Sequence, residues 1–234
     1  MPAEGPEVVR PRPRIEGLAD LIFGLALSVG SLALVSHLPV NSAQLTSDIL
    51  TFGFTFLILI SVWFDYTRIL SVMPVEDRRT NSLNSLLLFC VSLEPFLFIV
   101  VNSQPDRSGF FQTVSTVYAI DLGVMMGVLA AFSLSLAYDR SIRLHPSVRD
   151  GFRGEAGTRA IIAAFFFLSA LPVFAEPALF VFNEPLRIWM WIVPMVLAVG
   201  ARRLHPHFPD QAARRPPSDP PPGRGPGADG HAAR

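Results

Sequence analysis

The chain has 234 residues, of which 50% are hydrophobic and only 16% charged, and its mean hydropathy is +0.42. A water-soluble domain of this length needs a more heavily charged surface, so the composition points to a membrane protein. Formal net charge is zero, with 19 basic residues against 19 acidic ones, which leaves no global field to hold nucleic acid. All 19 basic residues are arginine and there are 21 prolines, a bias expected of a GC-rich bacterial coding sequence. The one cysteine, Cys90, excludes an intrachain disulfide and a multi-cysteine metal site.

Residues 1–13 read as a disordered cytoplasmic N-terminus. The first apolar stretch, Leu18 to Ser36, runs about 19 residues and lacks a small-x-small site at its end, so it is expected to be a retained span rather than a cleaved signal peptide. Crossing the hydrocarbon takes roughly 20 apolar residues at about 1.5 Å each. Five further stretches meet that length approximately: Ser47 to Ile69, Ser82 to Asn102, Gln112 to Ala137, Thr158 to Val181 and Pro185 to Gly200. Turn chemistry separates them, at His37-Leu38-Pro39-Val40-Asn41, Pro74-Val75-Glu76-Asp77, Ser103-Gln104-Pro105-Asp106, Asp150-Gly151 and Asn183-Glu184-Pro185. The expected fold is therefore all-α: a polytopic membrane protein of six transmembrane helices spanning residues 14–203.

Arginine placement orients these spans. Seventeen of the nineteen lie before the first span, in the second-to-third and fourth-to-fifth connections, or from Arg202 onward, whereas the opposite connections hold or adjoin only Arg107 and Arg187. The positive-inside rule then puts both termini in the cytoplasm of a multi-pass protein in the cell membrane. Residues 204–234 are rich in Pro, Arg, Gly and Ala and nearly free of apolar residues, so this tail is expected to be disordered. Its three histidines, His205, His207 and His231, give no metal-ligand spacing.

Ionisable groups inside spans cost at least about 2.5 to 3.5 kcal/mol near the bilayer centre, which draws attention to Asp20, Asp65, Glu94 and Asp121. Asp20 and Asp65 fall near cytoplasmic ends, and Asp121 is expected near the outer surface. Glu94 is deeper and is followed by Pro95, which removes a backbone donor and favours a kink; it is a candidate intramembrane relay, with a partnered carboxylate as the plainer alternative. In the first span Leu25, Ser28, Val29, Leu32 and Ser36 share one stripe, while Gly24, Ser31 and Ala33 offer small faces for a neighbouring helix. By itself such a pattern most often means ordinary packing.

The run Arg14-Ile15-Glu16-Gly17-Leu18-Ala19-Asp20 resembles the Arg-x-x-x-Phe-Ser-Asp signature that opens the first helix of the lysosomal potassium channel family, transmembrane protein 175, and its bacterial homologues. Trp63 sits where that family has a tryptophan near the end of the second span, and Asn84 followed eleven residues later by Pro95-Phe96 resembles its third-span pattern. Val117-Tyr118-Ala119-Ile120 resembles the start of its fourth span. Phe-Ser of the signature is Leu18-Ala19 here, and Tyr66 stands where relatives commonly carry histidine.

This resemblance, over residues 14 to 200, implies a homotetramer with no P-loop selectivity filter, in which the first span is the pore helix. It implies a hydrophobic constriction at Leu25, with Val29 and Leu32 as further apolar pore positions, and a hydroxyl ring at Ser28 that coordinates potassium in preference to sodium. Arg14, Asp20, Trp63 and Asn84 are then the residues that hold the pore helix in place. No cofactor or metal is expected, and the partners are the lipid bilayer and further copies of the chain.

Two other classes compete with a potassium-permeable channel. A secondary transporter, coupled to protons through Glu94, would use broken helices near the midplane, and Pro95, Pro172 and Pro194 supply breaks in the third, fifth and sixth spans. A non-conducting scaffold of the same fold is the other. An enzyme is disfavoured: no span contains histidine, and neither His-Glu-x-x-His nor Gly-x-Ser-x-Gly occurs.

Overall fold

A computed structural model of the chain describes residues 13–36, 39–73, 78–103, 109–139, 145–175, 180–181 and 184–194. The expected disordered ends, 1–13 but for its last residue and 204–234, lie outside the described residues. Five long helices occupy most of the rest: α1 (Pro13–Ser36), α2 (Ser42–Val72), α3 (Arg78–Asn102), α4 (Gly109–Tyr138) and α5 (Pro146–Ser169). A 3-10 turn follows at Pro172–Ala175. The two-residue strands β1 (Phe180–Val181) and β2 (Glu184–Pro185) then pair antiparallel, Phe180 opposite Pro185. Residues 186–194 are again helical and are called α6.

Three of the helices, α2, α3 and α4, are long and apolar enough to cross a membrane, and residues 17–32 of α1 form a shorter apolar helix. Helix starts follow local chemistry. Asn41 caps α2, its Oδ1 accepting from the Gln44 amide at 2.8 Å while Gln44 Oε1 accepts from the Val40 amide at 3.2 Å, so two otherwise unpaired donors are satisfied reciprocally. Pro146 occupies the first turn of α5, where its missing N–H costs nothing. Pro95 stays inside α3 without ending it.

The fifth apolar stretch departs from expectation. Its helix begins at Pro146, twelve residues before Thr158, and ends at Ser169 rather than Val181. Pro172 is the reason: it disfavours helical backbone at Leu171 and donates no hydrogen bond itself. The charged first half, with Arg149, Asp150, Arg153, Glu155 and Arg159, is helical because capping and tertiary pairing outweigh its polarity.

Helix α4 is central, packed most extensively against α5 and α3. It contributes Tyr118, Leu122, Met125, Leu129 and Phe132 to the fully buried core. Gly123 of α4 admits the ring of Phe167 from α5, which lies 3.0 Å from where a Cβ would stand. On the other side α1 packs against α3 and α2. It does so through Ala19, Phe23, Ala26 and Gly30, spaced four, three and four apart along one helical face.

Candidate pore face and its supports

The packing of α1 divides its residues into two sets. Ala19, Ala26 and Gly30 are the small residues that let neighbouring helices approach, with Phe52 of α2 at 3.7 Å from the Cβ position of Gly30. Gly24 and Ser31, expected to serve that purpose, face outward instead, and nothing lies within 4 Å of a Cβ on Gly24. Side chains at Ala33 and Ser36 are outside the described set. Leu25, Ser28, Val29 and Leu32 all lie on the side turned away from the protomer's core, Leu25 being 55% and Leu32 63% exposed. Leu18 and Leu21 continue the same face towards the helix start.

Ser28 has a defined orientation within that face. Its hydroxyl donates to the Gly24 carbonyl at 2.8 Å, the back-bonding usual for serine in an apolar helix. The only hydroxyl proton is thereby spent on the backbone of α1 itself, which leaves the oxygen lone pairs for another ligand. Ser31 does likewise, donating to the Ser28 carbonyl at 2.7 Å.

Two cross-helix hydrogen bonds stand behind α1. Trp63 Nε1 of α2 donates to Asp20 Oδ1 at 2.9 Å. One turn on, the hydroxyl of the fully buried Tyr66 donates to Asn84 Oδ1 of α3 at 2.6 Å, and the Tyr66 ring lies 5.9 Å from that of Phe23 on α1. Asp20, Trp63, Tyr66, Phe23 and Asn84 thus link α1 to α2 and α2 to α3. The side chain of Arg14 lies outside the described set, although its backbone forms the first turn of α1.

Three polar groupings join the helices through partners that the sequence did not identify, although Glu94 was singled out there. Arg159 of α5 pairs with Asp65 of α2 at 3.3 Å and with Glu155 at 3.2 Å, and also donates to Ser133 of α4; Arg68 of α2 pairs with Glu155. Arg187, read as a connection residue, is 1% exposed: its Nε donates to the Ser169 carbonyl at 2.7 Å, Nη2 to the Leu171 carbonyl at 3.1 Å, and Nη1 to Ser115 Oγ at 2.6 Å. It therefore caps the end of α5 that Pro172 exposes. The third grouping is Glu94 with Tyr118 and Asp121. Asp121 is buried between helices and lies twelve residues into α4, roughly 18 Å along its axis. The signal available was a polar residue one turn after another on each helix: Cys90 and Glu94, Tyr118 and Asp121.

Among the described residues no group of three or more His, Cys, Asp or Glu side chains is placed to hold a metal ion. Long apolar helices carrying their ionisable groups in pairs or caps define a polytopic helical membrane protein. Residues 14–95, which are α1, α2 and most of α3, match the sequence profile described as endosomal/lysosomal potassium channel TMEM175. Over those helices the chain is similar to that family, which is described as one of potassium channels. The fold is similar to the crystal structure of a lysosomal potassium-selective channel TMEM175 homologue from Chamaesiphon minutus, with a TM-score of 0.53 and 20% identity over 80% of this chain and 96% of that one. No curated protein matches the chain.

Proposed function

We propose that the protein is a potassium-permeable cation channel in which four copies meet along the outward face of α1. One observation carries this reading. Leu25, Ser28, Val29 and Leu32 are exposed on the protomer's surface, while the opposite face of the same helix is packed. A ring of four Leu25 side chains makes a constriction narrow and apolar enough to exclude water, and a ring of four Ser28 hydroxyls one turn further replaces part of a cation's hydration shell. The inward-donating Ser28 proton supports that role, since a cation needs lone pairs and not protons. Potassium, which sheds its hydration shell more readily than sodium, is the favoured ion.

Six membrane-crossing segments, with both termini cytoplasmic in the cell membrane, complete the proposed architecture. The arginine distribution supports it, and the burial of Arg187 sharpens the asymmetry: that residue caps a helix rather than marking an outer loop. Asp20, Trp63 and Asn84 keep α1 seated against the protomer while its other face meets the axis.

Flux from potassium-loaded liposomes containing the purified protein tests the proposal. A channel gives downhill potassium efflux that persists when every other ion gradient is removed and only charge is balanced by an ionophore. Efflux no faster than from empty liposomes overturns it, and efflux that stops when a proton or sodium gradient is withdrawn assigns the chain to coupled transport.

A further inference from the structure

Between α3 and α4, away from the outward face of α1, two carboxylates face each other's helices in an otherwise apolar core. Glu94 of α3 has no solvent exposure, and its Oε1 accepts from the hydroxyl of the fully buried Tyr118 of α4 at 3.2 Å. Asp121 is one turn beyond Tyr118 on the same face of α4, and Cys90 is one turn before Glu94 on α3. Glu94 stands beside Tyr118 and Asp121 lies one turn from Tyr118, so the two carboxyls sit about a helical turn apart in the same seam. Glu94 Oε2 and Asp121 Oδ2, both buried, have no hydrogen-bond partner among the described residues.

Buried acceptors left unmatched normally have a reason. Two negative charges here would each lose their hydration and repel the other, with no cation paired to either among the described residues. The groups facing them are Tyr118 and Asp121 from α4 and Cys90 from α3; the ring of Trp191, from α6, packs edge-on against Tyr118 at 5.1 Å. Arg187, one turn away at Ser115, is hydrogen-bonded to carbonyls and a hydroxyl and not to either carboxylate. Nor is the grouping built as a metal site among the described residues.

We propose that Glu94 and Asp121 form a proton-binding site in the interior of each protomer, in which one of the two carboxyls carries a proton. A single proton, taken from water, removes one of the two buried charges. It also converts one of the two unmatched acceptors into a donor. Tyr118 supplies a fixed hydrogen bond to Glu94 Oε1. The site belongs to the protomer alone, so it stands or falls separately from conduction through α1.

Infrared spectroscopy of the full chain in lipid nanodiscs tests this directly, because a protonated carboxylic acid has a carbonyl stretch distinct from amide and carboxylate bands. The expected result is such a band at neutral pH, shielded from rapid deuterium exchange and bleached as the pH is raised, and its loss in the E94Q/D121N variant. Where the double variant fails to assemble, Glu94→Gln alone must abolish or displace the band, since it removes one of the two buried carboxyls and alters the surroundings of the other. Absence of the band from the unaltered protein at neutral pH overturns the proposal, and so does a band that is unchanged in either variant.

Discussion

Leu25 is the residue whose size matters most to the proposed pore. Replacing it with alanine removes most of the apolar ring while leaving the buried face of α1 untouched. Potassium efflux from liposomes is expected to rise roughly ten-fold, a barrier change of about 1.4 kcal/mol, with little change in thermal stability. Ser28→Ala leaves the constriction in place but removes the oxygen, so the expected effect is weaker preference for potassium over sodium, read from reversal potentials under mixed-ion conditions. Trp63 acts at one remove from the pore. Trp63→Phe keeps the ring packing and deletes the donor to Asp20, which is expected to lower stability by about 1 kcal/mol, a magnitude usual for side-chain hydrogen bonds within membranes. Thermal unfolding in detergent measures it, and an unchanged midpoint would show that the bond contributes nothing to seating α1.

Among the elements, α5 depends most on a residue distant in sequence. The amides of Ala170 and Leu171 satisfy the Phe166, Phe167 and Leu168 carbonyls, but Pro172 ends the helix there, and the guanidinium of Arg187 from α6 takes up the Ser169 and Ala170 carbonyls beyond them. A cation at that end also complements the helix dipole. Arg187→Met is therefore expected to destabilise the protein by on the order of 3 kcal/mol, since several buried carbonyls lose a charged donor at once. Arg187→Lys restores only part of this: an ammonium keeps the charge but lacks the planar fork that reaches Ser169, Leu171 and Ser115 together. Unfolding midpoints of the two variants give the order, and equal losses would argue that charge rather than hydrogen-bond geometry is at work. Arg159 makes a related tie between α5, α2 and α4, and its buried position separates it from surface ion pairs, which contribute little.

The whole molecule supplies its own means of testing assembly. Cys90 is the single cysteine and is buried, so a Cys90→Ser background is silent to oxidative cross-linking. In that background Leu32→Cys places a thiol on the outward face of α1. If four such faces converge on an axis, mild oxidation produces covalent dimers within the assembly, whereas a cysteine at Ile161, exposed on α5, stays uncrosslinked. A monomer under both conditions would remove the shared pore and leave a multi-pass membrane protein without one.

Membrane residence was legible in composition, and α1 to α4 were legible as apolar runs because a bilayer imposes both length and hydropathy on anything that crosses it. The stripe of Leu25, Ser28, Val29 and Leu32 followed from helical period alone. Which face of α1 is packed did not, since small residues lie on both sides, and only the positions of α2 and α3 select Ala19, Ala26 and Gly30 over Gly24 and Ser31. The same limit applies to Glu94 with Asp121 and to Arg187 with the end of α5. Each pairing joins residues far apart in the chain, and a buried charge is stabilised by whatever partner the fold delivers, which hydropathy and local spacing do not encode.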